Sequence, residues 1–384
     1  MEKISALYSR YVIDGIPQDL TPGQMLDDCL VRPVKAQAPE ASALITDETS
    51  DPTSHLITLD SWKIRDYLSS ILEAAPAGQK TRGIDPVFAP QYTKIAILEA
   101  LEEMLWRKGS FKLGDLLLSM DWKWDMESIG GAAAFFASVQ SAAEYLSGLS
   151  LRLDSYDFKE SAEDSVTIEA LIEPRDEGDD DFPVEMPFTS QDPKLEEGRA
   201  VPEGLVPDPE SWIVYIPTES CEYRLGGSLL ASLTSQKGGI APDPCDPDYF
   251  IDCFEVVREM VEDGVIIAGA SVGRGGLMTA LKRMSLASEA KTGASVSLTE
   301  LMAAAGENDA VRVLFAEAPG IIMQIKDEDF DYIDAELTLQ DVAFYPLGHP
   351  VPGSESIKTD SSDKPHLQTI LESLIQSRSS EGED

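Results

Sequence analysis

The spacing of hydrophobic residues predicts amphipathic helices in several segments of the chain. In 92–107, apolar residues recur every three or four positions, which places them along one face of a helix. The segment 130–147 has the same period but is rich in alanine and glycine, so this helix can lie close to its neighbour. By the same criterion, helices are predicted at 61–75, 92–107, 130–147, 248–263 and 366–377.

Short apolar or alternating runs predict strands between these helices. The run 114–124 is apolar enough for a strand buried on both faces or at a subunit contact, whereas 149–153 and 166–172 alternate like half-buried strands. Further strands are predicted at 212–216, 265–268, 311–315 and 320–325. Since helix and strand alternate through the second half, the pattern indicates a layered α/β domain there, after a first domain that mixes helices and strands.

Composition shifts divide the chain into domains. Its 384 residues, 43% of them hydrophobic, are enough for two domains with full cores. The segment 173–210 is rich in acidic residues and proline, which is typical of a solvated linker. The predicted organisation is an N-terminal arm at 1–58, a first domain at 59–172, the acidic linker at 173–210, a second domain at 211–350 and an acidic tail with a short amphipathic helix at 351–384.

The net charge of the chain disfavours two classes of binding partner. The chain carries 69 acidic and 30 basic residues, a net charge of −39, which repels nucleic acids and anionic membrane surfaces. It has no apolar run of the about 18 residues that a membrane-spanning helix needs, and its N-terminus has no signal-peptide core, so a cytoplasmic location is expected. The four cysteines are too scattered for a disulfide framework, and the three histidines show no pairing with a nucleophile.

The stretch 261–284 is the strongest candidate for chemistry. A short apolar run leads into a glycine-rich turn and then into a helix with an apolar face. Backbone N–H groups at such a helix start, aided by the helix dipole, can hold a phosphate. The residues predicted to bind phosphate or nucleotide are Ser271, Gly273, Arg274, Gly275 and Gly276 in this turn and Gly226, Gly227 and Ser228 in an earlier glycine turn, with Lys282 and Arg283 as nearby cations. The alternative, that the glycines serve turn geometry only, is left open.

Five segments between residues 83 and 349 carry a resemblance to a known family. They are GIDPVFAPQYTKIAILEALEEMLW, LLLSMDWKWDMESIGGAAAFFASVQSAAEYLSGLSLRL, the two glycine turns RLGGSLLASL and AGASVGRGGLMTALKRMSLA, and the pair of apolar runs in VRVLFAEAPGIIMQI. In this order they resemble the second half of the synthetase region of the phosphoribosylformylglycinamidine synthases, a family of the AIR synthase superfamily. The first segment resembles the family's turn and helix, and the second its strand, tryptophan-rich turn and long helix.

The resemblance implies a fold, a reaction and a mode of assembly. The implied fold is a PurM-like module, α+β / α/β, with a ferredoxin-like N-terminal domain and a layered α/β C-terminal domain. Members of the family pair two such modules through their N-terminal domains into a closed barrel, so a homodimer or heterodimer is implied here. The family's reaction in purine biosynthesis phosphorylates an amide oxygen and displaces it with ammonia, which makes ATP and Mg²⁺ the implied cofactors.

The chain departs from the family at two motifs. Where the family has Gly-Lys-Asp-Ser after the strand at 149–153, this chain has DSYD at 154–157. Where the family has His-Asp-x-Ser-x-Gly-Gly, this chain has ASVGRGG at 270–276. A phosphate-binding lysine and a metal-binding acid are thereby absent, and phosphoryl transfer depends on both kinds of group for charge neutralisation.

Two functions from different classes follow, and whether the chain is an enzyme is left open. In the first, the module has kept the fold, lost catalysis and serves as an accessory subunit that pairs with another such module. In the alternative, it is an active ATP- and Mg²⁺-dependent formylglycinamide ribotide amidotransferase subunit. The residues proposed for magnesium in that alternative are Asp154, Asp157 and Glu317.

Two further sequence features have a possible but less favoured binding role. Consecutive acids at 179–181 could hold a cation, although acids in a loop more often face water. Trp122 and Trp124 could stack a nucleobase, but tryptophans at the end of an apolar strand are more often part of a core or an interface.

Overall fold

The computed structural model describes residues 5–32, 43–50, 64–76, 78–172, 193–235 and 239–360. The chain forms two compact units. The first comprises Met1–Thr53, Gln79–Met104 and Gly109–Glu196, and the second comprises Ser54–Gly78, Leu105–Lys108 and Glu197–Asp384. The described residues of the predicted arm belong to the first unit, and 64–76 belong to the second, while the predicted domain bounds stay a prediction.

The secondary structure of the described residues is mixed. The helices are α1 (Pro22–Cys29), α2 (Ile64–Ala74), α3 (Ala89–Leu105), α4 (Gly131–Gly148), α5 (Leu229–Leu233), α6 (Pro247–Asp263), α7 (Gly276–Ala287), α8 (Thr299–Ala304), α9 (Ala310–Phe315) and α10 (Phe330–Leu339). The strands are β1 (Arg10–Ile13), β2 (Ile16–Pro17), β3 (Leu44–Asp47), β4 (Thr81–Gly83), β5 (Arg107–Ser110), β6 (Leu116–Trp124), β7 (Arg152–Glu160), β8 (Ser165–Ile172), β9 (Lys194–Arg199), β10 (Trp212–Pro217), β11 (Ile266–Ser271), β12 (Thr292–Ser297), β13 (Gly320–Ile325), β14 (Tyr345–Pro352) and β15 (Ser354–Asp360). No helix within the described ranges is long and apolar enough to cross a membrane.

A four-stranded sheet of order β4-β8-β6-β7 forms the centre of the first unit. Strand β6 runs parallel to β7 and antiparallel to β8. Its indole N–H groups anchor α4, because Trp122 donates to Ser138 Oγ at 2.9 Å and Trp124 donates to Gly131 O at 2.8 Å. Both tryptophans are therefore core residues rather than an exposed stacking surface.

Burial on both faces, one of the two alternatives predicted for this strand, holds only for the first residues of β6. Leu116, Leu117 and Leu118 are all buried, but Asp121 and Lys123 are exposed between buried neighbours. The second half of the strand thus has one face on the core and one polar face, as sheets covered on a single side do.

The first unit also contains structure where an extended arm was predicted. Strand β1 pairs antiparallel with β2 and parallel with β3. Helix α1 begins with a capping box, in which Thr21 Oγ1 accepts from the Gln24 N–H and Gln24 Oε1 accepts from the Thr21 N–H. The Thr-Pro-Gly-Gln sequence carries that signal, with proline in the first turn.

The N-terminal segment is fixed to the start of α4 by one carboxylate. Asp47 Oδ2 accepts hydrogen bonds from the N–H groups of Ala132 and Ala133 at 3.0 and 3.1 Å, and Asp47 Oδ1 accepts one from Gly130 at 3.3 Å. These donors have no partner within the helix. The negative charge of the carboxylate also interacts favourably with the positive, N-terminal end of the helix dipole.

The strand predicted at 149–153 is longer than expected and includes residues 154–157. They lie inside β7, which continues to Glu160. The register between β6 and β7 shifts after Leu118, so that Leu118 faces Leu153 and Ser119 faces Ser155. Asp154 is therefore the extra residue of a β-bulge, which places one additional residue in a strand while the pairing continues on both sides of it.

A six-stranded sheet of order β11-β13-β10-β14-β12-β15 forms the second unit. Strand β13 pairs antiparallel with both β10 and β11. Helix α7 packs on its core through Leu277, Leu281 and Met284, each at most 1% exposed, as the periodicity predicted. Helix α2 contributes Ile71, 0% exposed, to the same core, which explains why this helix groups with the second unit.

Two predictions in the second unit are wrong. Residues 311–315, predicted as a strand, lie in α9, whose start is capped by Asp309 Oδ1 accepting from the Val311 N–H. A short apolar run suits either element, so periodicity could not decide between them. The stretch after Pro350 was predicted as a loop, yet β15 pairs in parallel with β12. The predicted helix at 366–377 lies outside the described residues.

Candidate functional site

The strand, glycine turn and helix predicted around 261–284 are present in the second unit. Strand β11 ends at Ser271, and α7 starts after Gly275, whose φ of 87° lies in the left-handed region. Gly269, predicted in the turn, lies within β11. A Cβ atom there would be 2.4 Å from the ring of Trp106, so a close aromatic neighbour explains that glycine.

One buried carboxylate joins the two predicted glycine turns. Glu317 is 2% exposed, and its Oε1 accepts hydrogen bonds from the N–H of Gly275 at 3.0 Å and from the N–H of Leu229 at 2.8 Å. Gly275 precedes α7, and Leu229 is the first residue of α5. The N–H of Gly275, which was predicted to hold a phosphate, therefore donates to an anion of the chain itself, as does the N–H that follows the earlier glycine turn.

Other residues of the second unit pack directly against the glycines of the α7 turn. A Cβ atom on Gly275 would lie 2.4 Å from Ile71 Cγ2, and one on Gly276 would lie 2.6 Å from the carbonyl oxygen of Ala316. Gly276 also has a φ of 73°. Both residues must be glycine for packing and backbone conformation alone.

The earlier glycine turn is likewise held by local contacts. The Gly226 N–H donates to Ile240 O at 2.7 Å, and Gly227 has a φ of 70°. Ser228 caps α5, because its Oγ accepts from the Ala231 N–H and donates to Leu225 O. The structure thus brings the two predicted turns together through Glu317 rather than around an open cleft.

The remaining predicted residues of the α7 turn also have protein partners. Ser271 Oγ accepts a hydrogen bond from Trp106 Nε1 at 3.0 Å. Lys282 Nζ donates to Glu355 O, and Arg283 donates to Ala75 O. Gly273 O accepts from the Gly276 N–H, and Arg274 is partly exposed. The side chains of Lys282 and Arg283 thus bind backbone carbonyl groups of the same unit rather than form a positive patch.

The residues proposed for magnesium are divided between the units. Asp154 and Asp157 are exposed on β7 of the first unit, and Glu317 is buried in the second. Within the described ranges, no group of three or more His, Cys, Asp and Glu side chains could hold a metal ion. The acids at 179–181 lie outside the described residues.

Sequence reasoning missed a cavity of about 520 Å³ in the second unit. Its lining includes Glu219, which is 3% exposed and accepts hydrogen bonds from the N–H groups of Ser220, Cys245 and Asp246 at 3.0 to 3.2 Å. Tyr249 lines it too, and burial raises the pKa of its phenol. The lining comes from separate segments of the chain, so no local pattern could reveal it.

The pKa of Glu307, at the rim of this cavity, gives a prediction. Burial raises this pKa, but hydrogen bonds from the Asp309 N–H, the Arg312 guanidinium and the Asn308 N–H outweigh burial and hold it below the usual 4.5. A carboxylate with a lowered pKa stabilises the folded state above its unfolded pKa, and this contribution is lost as the pH falls through the folded pKa. We expect Glu307→Gln to be destabilising at pH values above about 4.5 and progressively less so below it. Urea unfolding of both proteins across this range measures the difference, and a difference independent of pH would contradict the prediction.

Known proteins similar in sequence are phosphoribosylformylglycinamidine synthases. The Homo sapiens protein is 24% identical over 246 residues, which cover 64% of this chain and 17% of the relative. A probable phosphoribosylformylglycinamidine synthase of Arabidopsis thaliana, chloroplastic/mitochondrial, is 21% identical over 366 residues, which cover 91% of this chain and 24% of the relative. No protein-family profile matches the chain. The chain spans about a fifth of the length of these relatives.

Solved structures identify the fold. The chain superposes on Thermotoga maritima PurL complexed with FGAR with a TM-score of 0.51 at 11% identity, covering 76% of this chain and 45% of that one. Phosphoribosylformylglycinamidine synthase II from Thermotoga maritima gives a TM-score of 0.50 at 11% identity, covering 81% and 50%. The predicted PurM-like α+β / α/β fold and the predicted resemblance are confirmed.

Proposed function

We propose that this chain is a diverged, accessory module of the phosphoribosylformylglycinamidine synthase type, which does not catalyse phosphoryl transfer itself and pairs with another such module through its first unit. The sequence similarity and the PurM-like fold support the ancestry. Because the chain spans only about a fifth of its relatives, their reaction, substrates and partners are not carried over without a test. A cytoplasmic location stays a prediction.

The observation that carries the proposal is the environment of Ser271. The resemblance places the family's metal-binding acid at this position, and here a neutral hydroxyl accepts a hydrogen bond from Trp106 Nε1. The preceding residue, at the family's histidine position, is Ala270, which is 6% exposed. A neutral pair held in this way supplies neither the negative charge that holds magnesium nor a proton-transfer group.

The position of the family's lysine supports the same conclusion independently. Ser155 replaces the lysine, and its Oγ lies 2.9 Å from Ser119 Oγ on the adjacent strand. The next residue, Tyr156, donates to Asp27 Oδ1 at 2.5 Å and contacts Tyr8 Oη at 3.2 Å. The segment now ties β7 to the N-terminal part of the first unit, and a neutral serine stands where the family's lysine would face a phosphate.

The described residues do not fit ATP and Mg²⁺ at the α7 turn. The Gly275 N–H donates to Glu317, and the spaces beside Gly275 and Gly276 are filled by Ile71 and by the Ala316 carbonyl. A phosphate there would meet a buried carboxylate, and like charges in a poorly solvated place repel strongly. Nucleotide binding at this turn would contradict this conclusion.

The polar face of the four-stranded sheet supplies the argument for pairing. Exposed Asp121 on β6 faces Asp157 on β7, and exposed Lys123 faces Lys159. Like charges directly opposite in a sheet are unfavourable. Burial and the carboxylates of Asp157 and Glu169 raise the pKa of Asp121 above its ordinary value, although Lys123 opposes this. A second sheet turned by about 180° would place each aspartate pair against a lysine pair and relieve both repulsions.

The catalytic part of the proposal is tested by calorimetry and turnover. We expect no saturable heat when the chain is titrated with ATP and Mg²⁺, and no ATP hydrolysis that depends on ammonia and formylglycinamide ribotide. Dependent hydrolysis that Arg274→Ala abolishes would overturn it and favour the active subunit, and saturable binding that Arg274→Ala abolishes would show that the α7 turn holds a nucleotide. Arg224→Ala is the matched control, because Arg224 is a partly exposed arginine outside the α7 turn.

The pairing part is tested by charge reversal. The variant Lys123→Glu/Lys159→Glu makes the face wholly acidic, and Asp121→Lys/Asp157→Lys makes it basic. If two copies pair through this face, we expect each variant to be monomeric in sedimentation velocity and their mixture to dimerise. Failure of the mixture to associate, or dimers of either variant alone, would contradict pairing through this face.

A further inference from the structure

The short segment 217–221, which starts at the last residue of β10, contains or contacts three of the four cysteines. Cys221 belongs to this segment, Cys245 Sγ lies 3.9 Å from Ser220 O, and Cys253 Sγ lies 3.9 Å from Pro217 O. All four cysteines of the chain are thiols. The segment also lines the 520 Å³ cavity, so a change in its cysteines would alter the wall of that cavity.

The buried Glu219 carboxylate joins the segment that contains Cys221 to the backbone of Cys245. Glu219 Oε2 accepts from the Ser220 N–H at 3.0 Å and from the Cys245 N–H at 3.2 Å. With Cys245 Sγ 3.9 Å from Ser220 O, standard backbone dimensions place that sulfur within roughly 7 Å of the Cys221 Cα. The two Cα atoms therefore lie within roughly 10 Å of each other, and a disulfide needs them about 4.4–6.8 Å apart, so closing the bond requires the Cys245 side chain to rotate and its loop to move by up to about 3 Å.

We propose that Cys221 and Cys245 form an intrachain disulfide when the protein meets a low-molecular-mass disulfide. This goes beyond the accessory function and does not depend on it. The Cys245 thiolate attacks one sulfur of the reagent, forming a mixed disulfide and releasing one thiol. The Cys221 thiolate then attacks the Cys245 sulfur and releases the second thiol. Two electrons pass from the cysteine pair to the reagent, and the two cysteine protons end on the released thiols.

Accessibility makes this pair the reactive one. Cys245 is exposed and Cys221 partly exposed, whereas Cys253 is 1% exposed. Cys29, in the first unit, is partly exposed, but burial raises the pKa of its thiol, with Asp28 adding to this and Arg152 opposing it. A smaller thiolate fraction slows its exchange.

The bond would act on the predicted glycine turn as well as on the cavity. The chain between Cys221 and Cys245 contains Gly226–Ser228 and α5, whose first N–H donates to Glu317. Closing this loop removes conformations from the unfolded chain and thereby stabilises the second unit. Oxidation therefore shifts the thermal unfolding midpoint of this unit upward.

The test uses the full chain and oxidised glutathione at about pH 8, where thiolates form. After quenching with N-ethylmaleimide, peptide mass spectrometry should show Cys221 linked to Cys245, about 2 Da below the sum of the two thiol peptides and reversed by dithiothreitol. The link should form about tenfold faster than Cys29 or Cys253 is modified. The matched controls Cys253→Ser and Cys29→Ser should retain it, and Cys245→Ser should leave Cys221 as a glutathione adduct.

Three results would overturn the proposal. One is separate glutathione adducts on Cys221 and Cys245 without a link, and another is a link from either residue to Cys253. The third is a cross-linked protein whose thermal midpoint is not raised relative to Cys245→Ser treated in the same way. Since Cys245 is exposed, its replacement leaves the core intact and the comparison interpretable.

Discussion

Replacing Glu317 with alanine is expected to destabilise the second unit by about 2–5 kcal/mol. The change removes the acceptor of two backbone N–H groups, those of Gly275 and Leu229, and Gly275 is itself part of a buried turn. Each buried donor left without a partner costs about 1–3 kcal/mol. The midpoint of guanidinium unfolding, followed with a probe in the second unit, measures the loss.

Two further variants separate the lost hydrogen bonds from a general effect of removing an acid. Glu317→Gln keeps one carbonyl acceptor without the charge, so it should lie between the wild type and Glu317→Ala. Glu328→Ala removes a glutamate whose side chain is 73% exposed, and it should change stability by no more than about 0.5 kcal/mol. If Glu317→Ala were as mild as Glu328→Ala, the carboxylate would not be what holds the two turns together.

The Glu317 contact shows what the sequence could predict of the candidate site and what it could not. Both glycine turns and Glu317 were singled out from the sequence, but as a phosphate site and a metal ligand. The hydrogen bonds that join them link residues 42 and 88 positions apart. No local pattern encodes which helix start a distant carboxylate caps, because that depends on the packing of the whole unit.

The same limit separates the elements that were predicted from those that were not. The helices α3, α4 and α6 have long apolar faces, and their period identifies them without any tertiary information. Short elements contain too few residues to show such a repeated period. The run at 311–315 became a helix because Asp309 caps it, and β15 exists because it pairs with β12, which is remote in sequence.

Three acidic side chains share one role across the two units. Asp47 caps α4, Glu317 accepts from the cap residue of α7 and from the first residue of α5, and Glu219 accepts from the N-cap residue of α6. Each is remote in sequence from the helix that it caps. Part of the strong acidity of the chain is therefore structural, since a carboxylate satisfies helix N–H groups and interacts favourably with the helix dipole.

Replacing Gly276 with alanine is expected to destabilise the second unit by about 3 kcal/mol or more. A left-handed conformation costs a non-glycine residue about 1–2 kcal/mol, and the added Cβ would also lie 2.6 Å from Ala316 O and 2.8 Å from Leu314 O. Both neighbours are backbone atoms, which cannot rotate away. The change in unfolding free energy of the second unit measures the effect.

Gly264 offers a matched control for this substitution. It follows α6 with a φ of 72°, nearly that of Gly276, but an added Cβ would have no atom within 4 Å. Gly264→Ala should therefore cost only the conformational part, about 1–2 kcal/mol. Equal effects of the two substitutions would show that the carbonyl groups of Ala316 and Leu314 can move away from the added Cβ atom, which would contradict the prediction.

The comparison of these two glycines also decides how nucleotide binding must be tested. A Gly276 variant that fails to bind ATP would show nothing about a phosphate site if the variant is unfolded. Arg274→Ala changes the same turn without adding a Cβ to a crowded position, so its effect on binding can be interpreted. For a chain whose glycines are required by packing, loss of function in glycine variants is evidence for a site only when stability is measured beside it.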